Sequence, residues 1–234
     1  MKITLSGDGM TDVALDTNRR ETVMQKALIV KGGWDGHRPQ ECADLFGNWM
    51  RGSGFTVSVS DTLDSYADPD QMTGIAVILQ IWTMGSMSAE QQQGLLSAVE
   101  AGTGFAGFHG GASDSFRDNT EYQFMVGGQF VAHPGGLKDY DVGIVDPSHP
   151  IIAGISGFTM RNTEQYYMHV DPSNHVLATT TFPNGVVIPV VWARQWGKGR
   201  VFYASFGHTE QDFEIPEALT IVQRGIRWAA RLPE

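Results

Sequence analysis

Gly104-Phe105-Ala106-Gly107-Phe108-His109-Gly110-Gly111 runs apolar and then stops on an imidazole set among glycines. This is the form of a buried strand that turns sharply at the carboxyl edge of a sheet and presents one side chain at the turn. In hydrolases and amidotransferases built this way the presented group is a Ser or Cys nucleophile. An imidazole is poorly suited to covalent work, but it serves well as a ligand or proton carrier.

Upstream of that turn, residues 26–31 form a short apolar run that enters Gly32-Gly33-Trp34-Asp35-Gly36-His37, which reads as a first strand and its loop. Pro39 opens a helix whose apolar positions Cys42, Leu45, Phe46 and Trp49 share one face, and Gly52 to Gly54 end it. Cys42 therefore reads as inert packing rather than as a nucleophile. Strands are expected at residues 56–60 and 75–79, the latter running out through Gln80 to Met84. A second helix begins at a capping box of Ser88 and Gln91, turns Leu95, Leu96 and Val99 inward, and ends at Gly102. Strand, helix, strand, strand, helix, strand is the succession of an α/β three-layer sandwich with a mostly parallel central sheet. Ligands in such folds lie beyond the carboxyl ends of the strands, so the loops at His37, Trp82 and His109 share one edge.

Downstream, residues 112–118 and 129–136 read as loops around a short helix at 120–126. A strand is expected at 139–145 and turns at 147–157. Glu164-Gln165-Tyr166-Tyr167-Met168-His169 then sets an acid, two phenols and an imidazole close together. Strands at 175–181, 186–194 and 199–206 follow, the last stopping at Gly207-His208-Thr209-Glu210, and a helix at 216–230 closes the core with Leu219, Val222, Ile226 and Ala229. Residues 1–25 show no sustained periodicity and read as an extension, whether edge strand, interface arm or tail. Residues 26–234 form the domain.

The totals narrow the function classes. A net charge of −10 and no Lys/Arg cluster argue against nucleic acid or an anionic membrane as partner. The single cysteine rules out an internal disulfide and a multi-Cys zinc site, and points to the reducing cytoplasm. No apolar run approaches the roughly 20 residues needed to span a bilayer.

His109 and His208 both follow apolar strands, and Glu164 and His169 fall in a segment able to cover them. Two chemistries use these residues. His109, Glu164, His169 and His208 are ligands suited to a divalent ion such as zinc; without metal, His109, His208 and Glu164 make an acid/base centre. Trp34, Trp82, Tyr166 and Tyr167 flank the expected cleft, where aromatic faces suit sugar rings. His149 and His175 read as structural or solvated. The first loop matches neither the dinucleotide fingerprint nor a phosphate-binding loop, so no nucleotide is expected.

Taken together, Gly32 to His37, Trp82-Thr83-Met84-Gly85, Gly107 to Gly111, Gly127-Gly128-Gln129-Phe130-Val131-Ala132-His133-Pro134, Glu164 to His169, Gly199 to Tyr203 and Gly207-His208 resemble the trehalose-utilisation (ThuA-like) family. The resemblance covers residues 26–230 and implies a flavodoxin-like, class I glutamine amidotransferase-like fold. In amidotransferases the matching turn, Gly-x-Cys-x-Gly, carries the attacking cysteine; here it carries His109, so glutaminase activity is not expected. Gly207-His208-Thr209-Glu210 resembles their His-x-Glu ending.

The family's association with disaccharides and 3-keto-sugars implies a cytoplasmic carbohydrate-processing enzyme, a lyase, hydrolase or isomerase, with a small sugar as its partner. His109, His208 and Glu164 would be its catalytic or metal-binding centre. Trp34, Asp35, His37, Trp82, His133, Tyr167 and His169 would line the substrate cleft. The competing expectation is a non-catalytic sugar-binding or regulatory protein on a degenerate amidotransferase scaffold. In either case a homo-oligomer is expected.

Overall fold

The computed structural model describes residues 24–233, so the extension read over residues 1–25 lies, apart from its last two residues, outside the described residues. The first half of the chain runs β1 (Gln25–Gly33), α1 (Pro39–Gly52), β2 (Phe55–Ser60), α2 (Pro69–Met72), β3 (Ile75–Thr83), α3 (Ala89–Ala101), β4 (Gly104–Phe108), α4 (Gly110–Ser113) and α5 (Thr120–Val126). The second half runs β5 (Gly128–Ala132), β6 (Leu137–Ile144), β7 (Phe158–Glu164), β8 (Tyr167–Val170), β9 (His175–Thr181), β10 (Val187–Trp196), β11 (Gly199–Ala204) and α6 (Pro216–Ala229).

Nine strands make one mixed, largely parallel sheet in the order β2-β1-β3-β4-β11-β10-β9-β6-β7, while β5 and β8 form a separate ribbon. The five strands from β2 to β11 run parallel. Strands β10, β9, β6 and β7 then extend the sheet by antiparallel pairing. Period-2 alternation along the central strands feeds two cores. Ala27, Ile29, Ala106, Phe108, Phe202 and Ala204 pack against Cys42 and Phe46 of α1 and Ile221, Val222 and Ile226 of α6. Leu28, Val30, Phe105, Val201 and Tyr203 face Leu95 and Val99 of α3 and Tyr122, Met125 and Val126 of α5. This is the expected three-layer α/β sandwich.

The carboxyl edge of the parallel half is built for close approach. His109 has φ 47° and ψ −144°, a strained conformation for a residue with a side chain, and its N–H donates to the Ala204 carbonyl at 2.7 Å. A Cβ on Gly107 would stand 2.4 Å from that of Ala112, so the tight return of α4 onto β4 requires glycine there. Beneath the turn, the buried Gln80 amide accepts from Tyr66 and has Tyr122 Oη, Ser115 Oγ and the Gly111 carbonyl as acceptors, satisfying both ends of a polar side chain set beside the second core.

Strands β5 and β8 fall in segments read as loops, and no element was expected where β7 lies. Strand β7 is an edge strand with polar Arg161 and Asn162, and Asn162 sits at φ 45° where its pairing with β6 slips. The β5–β8 ribbon is short and lies outside the main sheet, so neither of its strands carries a buried-strand signature.

Candidate metal centre

Each parallel strand around the topological switch delivers one part of the site. Beyond β1 the chain enters a single 3-10 turn that buries His37, whose Nδ1 lies 2.9 Å from Thr83 Oγ1 at the end of β3. Cys42, fully buried on α1, directs its thiol at the His37 carbonyl; burial pushes that thiol well above its usual range, in keeping with inert packing. Strand β4 ends on His109, whose Nδ1 donates to the Ser205 carbonyl at 2.8 Å. Strand β11 leads to His208, and Glu164 arrives from the end of β7.

Four imidazoles surround the Glu164 carboxylate. His109 Nε2, His208 Nδ1 and His37 Nε2 stand 3.2, 3.4 and 4.0 Å from its Oε2, and His133 Nε2 stands 3.5 Å from its Oε1. The nitrogens of His37, His109 and His208 and the Glu164 oxygen all lie within 4.8 Å of one another. Tyr166 stacks on His109 with ring centroids 3.9 Å apart and closes the cluster from one side.

This donor set fits a divalent cation. Two of the three rings commit Nδ1 to a protein oxygen and turn Nε2 inward, as metal-bound histidines do. Because the Ser205 carbonyl only accepts, Nδ1 of His109 is committed to it as a donor and Nε2 is the nitrogen that faces the Glu164 carboxylate. His208 Nδ1 is buried and has no aligned hydrogen-bond partner among the described residues. The 3.2 and 3.4 Å spacings of His109 and His208 from Glu164 match the roughly 3.4 Å edge of a tetrahedron with bonds of about 2.0–2.1 Å, while His37 at 4.0 Å stands wider than that edge.

The electrostatics agree. Burial, then the neighbouring His109 and His208, push the His37 imidazole down to about 2, so it stays neutral and able to ligate. Burial would raise the Glu164 carboxyl, but its contacts with His109 and His208 outweigh that and hold it below the usual carboxylate range. His208 is raised by its closeness to Glu164.

The expected residues divide accordingly. His109, His208 and Glu164 come together as anticipated. His37, expected only to line the cleft, belongs to the cluster itself. His169 does not: it is exposed on β8 opposite Gln129 and lines a separate cleft with Phe124 and Asp171. Tyr167 packs on Phe182, leaving Tyr166 as the phenol at the site.

Trp34 is 48% exposed and meets His37 edge-on at 4.8 Å, Asp35 is exposed in the same turn, and Trp82 is half-buried with its ring over Gly32 and Gly85. Glu210 does not complete a His-x-Glu pair. It reaches Arg38 at 2.7 Å, and the carboxylate beside His208 is Glu164. Thr83, the Ser205 carbonyl and Asp212 escaped the sequence reading. Only the β3 strand end could have pointed to Thr83, and backbone groups leave no mark in a sequence.

The family profile for trehalose utilisation (ThuA) matches residues 26–229. A ThuA-like protein from Bacteroides uniformis has the same fold at 20% identity and TM-score 0.76, over 92% of this chain and 95% of its own. One from Parabacteroides merdae matches at 17% identity and TM-score 0.74, over 88% and 90%. A cytoplasmic protein from Salmonella typhimurium LT2 matches at 12% identity and TM-score 0.64, over 88% and 99%. No curated protein matches in sequence.

Proposed function

Because the chain belongs to the trehalose-utilisation (ThuA) family, we propose that it is an enzyme acting on a disaccharide or 3-keto-sugar, with its chemistry at the cluster of His37, His109, Glu164 and His208. The observation that carries this reading is the convergence of three imidazoles, two of them held in place through Nδ1, on one buried carboxylate oxygen. These four residues would hold a divalent ion, which when bound would supply Lewis-acid polarisation of a substrate oxygen.

The chain's own groups divide the remaining work by exposure. His109 is 1% exposed and fixed through Nδ1, so it holds the centre together and does not touch substrate. His133, with its side chain 42% exposed and Nε2 beside Glu164 Oε1, sits where the cluster meets solvent. It is placed to take a proton from a sugar carbon and release it outward. A 3-keto group acidifies the neighbouring C–H, so an imidazole base suffices to begin elimination at the glycosidic carbon. Trp34 offers a ring face beside His37 for the apolar side of a pyranose.

A cytoplasmic location fits this role. No helix among the described residues is long and apolar enough to cross a membrane, and the Salmonella relative is described as a cytoplasmic protein.

The test is turnover of 3-keto-disaccharides by purified protein, stripped of metal and then supplied with zinc or manganese. Turnover that requires the added ion is the expected result. No turnover of any keto-disaccharide under either condition removes the proposal.

A further inference from the structure

Asp212 is a buried carboxylate that the chemistry above leaves unused. Its Oδ2 accepts three hydrogen bonds: from Thr163 Oγ1 at 2.8 Å, from the Gly207 N–H at 2.9 Å and from the His208 N–H at 2.9 Å. Thr163 immediately precedes Glu164, and His208 is itself one of the clustered imidazoles. One oxygen thus joins the end of β7 to the loop that follows β11.

The join spans a large separation in the sheet. Strands β10, β9 and β6 lie between β11 and β7. Four inter-strand steps of about 4.8 Å would put β7 roughly 19 Å from β11 in a flat sheet. Nonetheless Glu164 Oε2 and His208 Nδ1 are 3.4 Å apart. The twisted sheet must curl, and the end of β7 must fold back over the carboxyl edge, before the carboxylate meets the imidazole. Asp212 is where that returning end is fastened. Two backbone amides and a hydroxyl converging on one oxygen satisfy it while buried, so the fastening is rigid and not a screened surface pair.

We infer that Asp212 is a positioning residue of the metal centre, holding Glu164 and His208 at ligand spacing through Thr163 and the Gly207-His208 backbone. The inference rests on the reading of the cluster as a metal centre. Asp212 itself contributes no ligand atom to it. Its effect is on affinity: without the fastening, the site must be assembled at the moment the ion binds.

The test is the zinc dissociation constant of the full chain, measured by chelator competition for wild type, Asp212→Leu, Asp212→Asn and Thr163→Val, together with the visible spectrum of the cobalt(II) forms. Asp212→Leu and Thr163→Val are expected to weaken zinc binding by about 10–100-fold, the usual effect of losing an outer-shell partner. Both should also alter the cobalt band. Asp212→Asn keeps an oxygen for the same three donors and recovers most of the affinity and the wild-type spectrum, which a purely volumetric role would not produce.

Should Asp212→Leu fail to fold, Thr163→Val and Asp212→Asn decide. Wild-type affinity and spectrum in Thr163→Val overturn the inference, as does an Asp212→Asn protein that folds but binds no better than Thr163→Val. A wild-type chain that binds neither ion overturns the metal-centre reading and this role with it. Zinc binding that is retained while the variants match wild type overturns only the role.

Discussion

Glu164 divides its two oxygens between two tasks. Oε2 faces His37, His109 and His208, while Oε1 faces the more exposed His133. Replacing the carboxylate by an amide keeps its shape and removes the charge on which the three inner rings converge. Glu164→Gln is therefore expected to weaken zinc binding by at least the ~10–100-fold typical of losing an outer-shell partner, measured by chelator competition. Unchanged affinity would show that Glu164 is not a ligand. His109 and His208 were legible because an apolar strand that stops on a polar residue marks a sheet edge. His37 was harder to place: its role depends on a 3-10 turn and on a hydroxyl from a neighbouring strand, neither of which has a periodic signal. His169 was misplaced for a related reason. Five residues separate it from Glu164, but the chain leaves β7 and enters β8 between them, and the ribbon turns His169 to solvent.

At the scale of elements, the site depends on how tightly the β4 turn lies under the β1 loop. A Cβ on Gly110 would stand 2.4 Å from His37 Cε1 and 2.6 Å from its Nδ1. Gly110→Ala must therefore push the ring off Thr83 while leaving strand pairing in place. The expected outcome is a folded protein, by circular dichroism, whose zinc affinity falls with little change in its unfolding midpoint. A variant that binds zinc as wild type does would show that the His37 ring can move without leaving the cluster. The elements that frame this turn could be read in advance because their signals are local: α1 by its Pro start and buried stripe, α3 by its capping box, and β4 by its glycine-flanked run. Strands β5, β7 and β8 could not, because their residues are half-exposed and their order comes from partners distant in sequence.

For the molecule as a whole, the buried imidazoles make stability depend on pH in the metal-free state. His37 has a folded value near 2 against about 6.5 in the unfolded chain, so below pH 6.5 the unfolded chain takes up a proton that the fold refuses, and stability falls. Glu164, also lowered, adds a second loss once the pH drops below its unfolded value of about 4.3. His208, raised, acts in the opposite sense: its contribution is complete below about 6.5 and lost as pH rises through its folded value. Urea unfolding midpoints of the metal-free protein should thus decline from about pH 6.5 downward. His37→Gln should delay that decline to the carboxylate range, and an identical profile in the variant would refute the assignment. The strand order has a separate consequence for synthesis. Strands β1 to β4 can pair as soon as they leave the ribosome, but the other side of β4 is closed only by β11, which begins at Gly199. Until those residues arrive, the nascent chain carries an open apolar strand edge ending in an unfinished site. A chain stopped short of Gly199 would keep that edge permanently and be a target for aggregation or for chaperones.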